Sequence, residues 1–234
     1  MADQLPKVKG VADIVFLLDA TGSMQSCINS VKRNIAKFVQ SLTEPTVNGA
    51  SVVKDWRARV VGYRDCGEDN DHYEPAPFVN SVAELETQLS KLHAHGGGDA
   101  PESLLEALYK LAAPATVADQ IDGNGWRPIG AARRFVVVFT DAPFHEPLAE
   151  PAGATIDDVI NNLMTAKIIL HIFAPKHCTR YNTLAEVDKS QWHAIGSEGL
   201  AAYTADPSKF GKIVEQLAKT ITIEAAVPVL SVEF

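Results

Sequence analysis

Apolar runs with almost no polar alternation constrain the fold of this chain more than any other feature. Three such runs are D-I-V-F-L-L-D at 13–19, F-V-V-V-F-T-D at 135–141 and K-I-I-L-H-I-F-A at 167–174. Strands that are buried on both faces of a parallel sheet have this pattern, because helices cover the sheet on each side. A fourth run, at 57–65, alternates more and is typical of a strand nearer the sheet edge. The runs therefore predict a mostly parallel sheet that is covered on both faces.

Helical patterns lie between these runs. Six segments carry apolar residues at steps of three and four, which is the period of an amphipathic helix; they are 24–42, 82–92, 100–113, 156–165, 183–194 and 207–223. Strands that alternate with helices predict an α/β layer fold.

Other segments complete the predicted architecture. Two prolines confine a further strand at 73–80 to a sheet edge, and its short link to the preceding strand predicts antiparallel pairing. Glycine and proline predict a surface loop at 114–132. The alternating residues at 227–234 could add another edge strand. Because neither a repeat nor a linker is visible, we expect a single domain over residues 1–234, with its core at about 12–223.

Composition and charge exclude several classes of protein. The chain has 46% hydrophobic and 21% charged residues, as folded globular proteins do, and its net charge of −8 disfavours nucleic acid or an anionic membrane as a partner. No apolar run approaches the ~20 residues of a membrane span, and the N-terminus lacks the apolar core of a signal peptide. Three cysteines without C-x-x-C spacing predict reduced thiols and a cytoplasmic location, although the sequence does not exclude one disulfide bond.

Polar residues follow the predicted strands at the edge where ligands bind in open α/β sheets. Asp19 and Asp141 end two of the apolar runs, and Asp99 follows three glycines before a predicted helix. Alternate residues of an extended turn point the same way, so Thr21 and Ser23 would lie on the same side as Asp19. Carboxylate and hydroxyl oxygens suit Mg²⁺ or Mn²⁺ in preference to Ca²⁺, and the lack of a nearby soft ligand disfavours zinc and copper. These five residues therefore predict a divalent metal site.

The same residues carry a family resemblance. D-A-T-G-S at 19–23, G-G-G-D-A-P-E at 96–102 and F-T-D-A-P at 139–143 resemble the three loops of the metal-ion-dependent adhesion site in von Willebrand factor A domains. The resemblance covers about 12–223. It implies a doubly wound, Rossmann-like, mostly parallel sheet with one antiparallel edge strand and helices on both faces. It also implies that Asp19, Thr21, Ser23, Asp99 and Asp141 surround the metal. Thr21 replaces the first serine of the usual D-x-S-x-S, and Asp99 stands where a threonine is commoner.

The function that the resemblance implies is a divalent-metal-dependent protein-interaction module, and not an enzyme. An open metal position would take an acidic side chain from an unknown partner protein. Three aspartates leave the site formally negative, which weakens its attraction for an external carboxylate. The alternative is a Mg²⁺-dependent phosphatase, phosphotransferase or other hydrolase that uses Asp19. However, Thr21 stands two residues later, where such phosphotransferases need a second aspartate. Ser23, the candidate nucleophile of a serine hydrolase, lacks the G-x-S-x-G elbow.

Each of these residues also has a structural alternative. Asp99 and Glu102 have the spacing of a helix capping box, and Thr21 or Ser23 could cap the following helix. Asp141 could be a turn residue. The histidines beside the loops, His93, His95 and His145, could bind zinc or be solvated. The acidic stretch at 65–74 could be a second cation site or a solvated loop, and it lacks the EF-hand pattern.

Overall fold

A central sheet of six strands organises the computed structural model, which describes residues 10–44, 53–98, 100–114 and 124–226. The strands run in the spatial order β3-β2-β1-β4-β5-β6, and only β3 is antiparallel. Their bounds are β1 (Val11–Asp19), β2 (Asp55–Tyr63), β3 (Tyr73–Pro75), β4 (Arg133–Phe139), β5 (Ile168–Pro175) and β6 (Gln191–Ile195). The predicted mostly parallel sheet with one antiparallel edge strand is confirmed.

Helices cover both faces of the sheet. Alternate residues of β1 explain why, since Ile14, Phe16 and Leu18 enter one core cluster and Val15 and Leu17 enter the other. The first cluster includes α1 (Gln25–Thr43), α2 (Val82–Lys91), α6 (Gly199–Ala205) and α7 (Pro207–Ala226), and the second includes α3 (Leu104–Ala112), α4 (Ile156–Thr165) and α5 (Tyr181–Leu184). The doubly wound fold is therefore confirmed. Of the described helices, none is both long and apolar enough to cross a membrane.

The helix predicted at 183–194 is wrong over most of its length. Helix α5 ends at Leu184, and Lys189 adopts a left-handed φ of 64° before β6 begins. Strand β6 then pairs in parallel with β5, from His171 opposite Gln191 to Pro175 opposite Ile195. The open hydrogen-bonding edge of β5 thus decides the conformation of this segment, and the local apolar spacing does not.

Other boundaries differ in smaller ways. The edge strand predicted at 73–80 is regular only over Tyr73–Pro75, with one further bridge between Ala58 and Val79. The helix predicted at 100–113 begins only at Leu104. In the described part of the predicted surface loop, Trp126 is buried and donates from Nε1 to the carbonyl of Leu111 at 2.8 Å. The segment 227–234 lies outside the described residues, so its added strand stays a prediction.

A buried ion-pair network lies near the start of β1. Asp13 is completely buried and accepts two hydrogen bonds from the Arg57 side chain, at 2.9 and 2.7 Å. It also accepts bonds from the backbone N–H and the Nε–H of Arg127, at 2.8 and 2.6 Å. Two guanidinium groups thus neutralise this carboxylate, which makes Asp13 a structural residue.

Candidate functional site

Asp19 is the last residue of β1, and its environment differs from that of Asp13 near the start of the strand. Its carboxylate is completely buried, yet among the described residues it forms no ion pair with a lysine, arginine or histidine. Oδ1 accepts hydrogen bonds from the Thr21 N–H at 3.0 Å and the Thr21 hydroxyl at 2.6 Å, and Oδ2 accepts one from the Thr140 hydroxyl at 2.8 Å. Burial raises the pKa of Asp19 to about 6, because these neutral donors offset only part of the lost hydration.

The loop after Asp19 packs closely against the glycine loop at 96–98. The N–H of Gly22 donates to the carbonyl of Gly96 at 3.2 Å. Gly97 has a φ of +67°, and a Cβ atom at this position would lie 2.7 Å from the side chain of Thr21. The Gly97 N–H also donates to Asp69 at 3.1 Å. Glycine is therefore required at position 97, where the chain passes between Thr21 and Asp69 in a left-handed conformation.

Arg64 connects these loops through hydrogen bonds. Its guanidinium group is completely buried and donates to the backbone carbonyls of Ala20, His93 and Asp71 at 3.2, 2.8 and 2.9 Å, as well as to the Glu74 carboxylate. One side chain thus joins the loop after β1, the segment before the glycines and the loop between β2 and β3.

Glu102 is a second buried carboxyl group at the site. It is only 5% exposed, and its Oε2 lacks a hydrogen-bond partner among the described residues. Burial, followed by the negative charges of Asp19, Asp65 and other nearby carboxylates, raises the pKa of Glu102 to about 8. Its backbone pairs with the third loop, since its N–H donates to Pro143 at 2.9 Å and its carbonyl accepts from His145 at 3.0 Å.

The structure brings several of the predicted site residues together. Thr21 contacts Asp19 directly, and Asp141 is half-buried, two residues beyond β4, where its charge contributes to the raised pKa of Asp19. Ser23 is exposed in the single 3-10 turn Gly22–Met24 that precedes α1. Asp99 lies outside the described residues, so its place in the site stays a prediction.

The capping alternatives are wrong where the structure describes them. Neither the 3-10 turn nor α1 receives a hydrogen bond from a capping side chain, and the Thr21 hydroxyl donates to Asp19 instead. Because α3 begins at Leu104, Glu102 precedes the helix and is not the third residue of a capping box.

Sequence reasoning missed two members of the site, Thr140 and the Glu102 side chain. Both belong to the quoted motifs, F-T-D-A-P and G-G-G-D-A-P-E, so position in a motif was the available signal.

The histidines beside the loops do not converge on one point. His95 contacts Asp71 at 3.0 Å, and His145 lies 3.6 Å from Asp65. Within the described ranges, Cys66, His72 and Glu150 are the only three residues of the types histidine, cysteine, aspartate and glutamate whose ligand atoms all lie within 4.8 Å of one another. None of the three histidines singled out from the sequence belongs to it.

Comparisons with known proteins agree with this geometry. Residues 13–219 match the family model of the von Willebrand factor type A domain. The α-protein kinase vwkA of Dictyostelium discoideum is 25% identical over 166 residues, which cover 67% of this chain but only 24% of that protein. This chain therefore spans about a quarter of the length of that relative.

Solved structures share the fold at low sequence identity. Proximal thread matrix protein 1 of the mussel byssus, in a structure with a zinc-occupied metal-ion-dependent adhesion site motif, has a TM-score of 0.57 and 13% identity over 90% of this chain and 48% of its own. The open conformation of the pilus adhesin SpaC from Lactobacillus rhamnosus GG has a TM-score of 0.56 and 12% identity over 94% of this chain and 31% of its own. With the sheet order, the three loops and the match over most of its length, the chain belongs to the von Willebrand factor type A domain family.

Proposed function

We propose that this chain is a divalent-metal-dependent protein-interaction module whose metal site lies where β1 and β4 end. The observation that carries the proposal is the buried Asp19 carboxylate, which three neutral donors hold and which no cation neutralises within the described residues. A buried carboxylate without a counter-charge is costly, and a divalent cation beside it would remove that cost.

The donor set fits a hard cation. We assign the ligands to Asp19, Thr21, Ser23, Asp99 and Asp141, which bind directly or through water. Carboxylate and hydroxyl oxygens favour Mg²⁺ or Mn²⁺. When bound, the ion supplies a positive centre that accepts an oxygen from a partner. The unpartnered Oε2 of Glu102 supports the fit, because a buried acceptor without a donor is rare unless a water or an ion completes it.

The residues around the site also suggest how a partner is recognised. Ser23 is exposed and Asp141 is half-exposed, so the solvent side of the site is open to another protein. The raised pKa of Glu102, about 8, belongs to the metal-free site, where burial and the uncompensated charges of Asp19 and its neighbours contribute to it. The three aspartate ligands and one divalent ion carry a summed charge of about −1, so an acidic partner side chain gains from metal coordination more than from long-range attraction. The free thiols support a reducing compartment, and we place the protein in the cytoplasm.

The hydrolase alternative is disfavoured by the position of Asp19. A nucleophilic carboxylate must be reached by the bulky reacting group of a substrate, whereas a metal ligand needs to meet only a single ion or its water. Asp19 is completely buried and both of its oxygens accept hydrogen bonds, which disfavours the nucleophilic role. The name of the kinase relative carries no activity to this chain, which aligns with only 24% of that protein.

The experiment compares proteins captured by the immobilised chain from extracts of its own cells. Wild type with Mg²⁺, wild type with EDTA and Asp19→Asn with Mg²⁺ form the set, and Glu84→Gln, at an exposed residue in the first turn of α2, is the matched control. We expect a protein that is captured only by wild type and Glu84→Gln in Mg²⁺. The same proteins in every lane would contradict the proposal. Turnover of p-nitrophenyl phosphate that needs Mg²⁺ and Asp19 would favour the hydrolase.

A further inference from the structure

Three different ligand types converge outside the Asp19 site. The ligand atoms of Cys66, His72 and Glu150 all lie within 4.8 Å of one another, and His72 Nε2 is 3.5 Å from Glu150 Oε2. Zinc bonds of about 2.0–2.3 Å in a tetrahedron place neighbouring ligands roughly 3.5 Å apart. The histidine and the glutamate already have this spacing, and side-chain shifts of about 1 Å would bring in the thiol.

The hydrogen bond of His72 aims its free nitrogen at this cluster. Nδ1 lies 3.2 Å from the carbonyl oxygen of Asp69, and only a protonated Nδ1 can donate to a carbonyl. The neutral ring therefore keeps its lone pair on Nε2, which faces Glu150 and Lys110. Metal-binding histidines are typically fixed in this way, with the second ring nitrogen donating to a backbone carbonyl.

A positive charge already lies beside two members of the cluster. The Lys110 ammonium lies 3.0 Å from His72 Nε2 and 3.1 Å from Glu150 Oε2, so it donates to both. A metal ion would have to displace this ammonium group, which is carried by a flexible side chain with 31% exposure. His72 and Glu150 thus already act together as acceptors for a cationic group.

The chemistry of the cluster differs from that of the Asp19 site. A thiolate and an imidazole favour zinc and similar ions, whereas the oxygen ligands around Asp19 favour Mg²⁺. Burial and the charge of Glu150 raise the pKa of the Cys66 thiol, so metal binding at neutral pH would release the thiol proton.

We propose that Cys66, His72 and Glu150 form a second metal site that takes Zn²⁺, with water as the fourth ligand and Lys110 as the competing cation. The site does not depend on the function proposed for Asp19. It would, however, brace the same loops: Asp69 accepts a bond from Gly97, and the Ser103 hydroxyl accepts one from the Cys66 N–H at 2.9 Å while donating to Asp65 at 2.9 Å. A metal here would thus join the loop between β2 and β3, which contacts the glycine loop through Asp69, to the loop after β4 that carries Glu150.

The test is a Co²⁺ titration of the metal-free, reduced protein, followed by near-ultraviolet absorption. Co²⁺ bound to a thiolate gives a charge-transfer band, and Co²⁺ bound to the oxygen ligands at Asp19 does not. We expect one equivalent of a band that Zn²⁺ abolishes. Cys66→Ser should lose the band, His72→Ala should weaken Co²⁺ binding by at least about tenfold, and Lys110→Met should tighten it.

Two variants separate this site from the rest of the molecule. Asp19→Asn removes one ligand of the other proposed metal site and should keep the band. Cys178→Ser removes a different free thiol and should also keep it. Circular dichroism checks that Cys66→Ser is folded. A wild-type protein without the band, or a band that survives in folded Cys66→Ser, would overturn the proposal.

Discussion

The two aspartates at opposite ends of β1 should respond to substitution with opposite signs. Asp13 is buried against two guanidinium groups, so Asp13→Ala would leave Arg57 without its carboxylate and Arg127 with only the exposed Asp55. Removing one partner of a buried ion pair costs about 3–5 kcal/mol. The side chains of Arg57 and Arg127 are 23% and 19% exposed and can be partly rehydrated. We therefore expect the free energy of unfolding to fall by about 3 kcal/mol.

Asp19→Asn should instead stabilise the metal-free protein. The pKa of Asp19 is raised from 3.8 to about 6, so the folded state binds this proton more tightly than the unfolded state does. The contribution of this proton to the free energy of unfolding is fully present below pH 4 and is lost as the pH rises through 6. At 1.36 kcal/mol per pKa unit, the loss is up to about 3 kcal/mol. An uncharged asparagine avoids this loss and can still accept the Thr21 bonds. At pH 8 we expect the variant to be more stable by about 1–3 kcal/mol.

Urea unfolding in EDTA, at pH 8 and at pH 4, measures both effects in one series. The stabilisation by Asp19→Asn should disappear at pH 4, because wild-type Asp19 is protonated there. Two outcomes would refute the reasoning: an Asp13→Ala variant within 1 kcal/mol of wild type, or an Asp19→Asn variant that is less stable than wild type at pH 8 in EDTA.

Two further predictions concern the glycine loop and the core. Gly97→Ala should lower the free energy of unfolding by about 1–2 kcal/mol and weaken metal binding, since its Cβ would meet Thr21 and its φ is left-handed. Gly98→Ala, where a Cβ would have open space around it, should change neither quantity. Equal effects of the two variants in calorimetry would contradict this. His171 is buried beside His193, and burial lowers the pKa of His171 to about 4, so wild type should lose up to about 3 kcal/mol as the pH falls from 6.5 to 4. His171→Leu should flatten that part of the stability curve, and an unchanged slope in urea titrations would count against a neutral buried imidazole.

The sheet was predictable because its central strands have a local signature. Segments such as Val11–Asp19 and Arg133–Phe139 are apolar almost throughout, and only burial on both faces favours such a run. Strand β6 has no such signature, since four of its five residues are exposed or half-buried. Its conformation depends on pairing with β5, which is a long-range contact that local spacing does not reveal.

The candidate site divides in the same way. That Asp19, Thr21 and Asp141 lie at the same edge of the sheet was predictable, because strand ends and motifs mark them. The Glu102 side chain was not, because its burial depends on the packing of three loops that are distant in sequence. The cluster of Cys66, His72 and Glu150 was also hidden, although the acidic stretch at 65–74 was singled out, because Glu150 comes from a different loop more than seventy residues later.

The central claim is a divalent metal site built on Asp19, and calorimetric titration of the metal-free protein tests it most directly. Mg²⁺, Mn²⁺, Ca²⁺ and Zn²⁺ are titrated into wild type, Asp19→Ala and the Cys66→Ser variant, which removes the second proposed site. The account predicts saturable binding of Mg²⁺ or Mn²⁺ at one site, retained by Cys66→Ser and lost in a folded Asp19→Ala. Binding of Mg²⁺ or Mn²⁺ to Asp19→Ala as tightly as to wild type, or no binding to wild type, would contradict it.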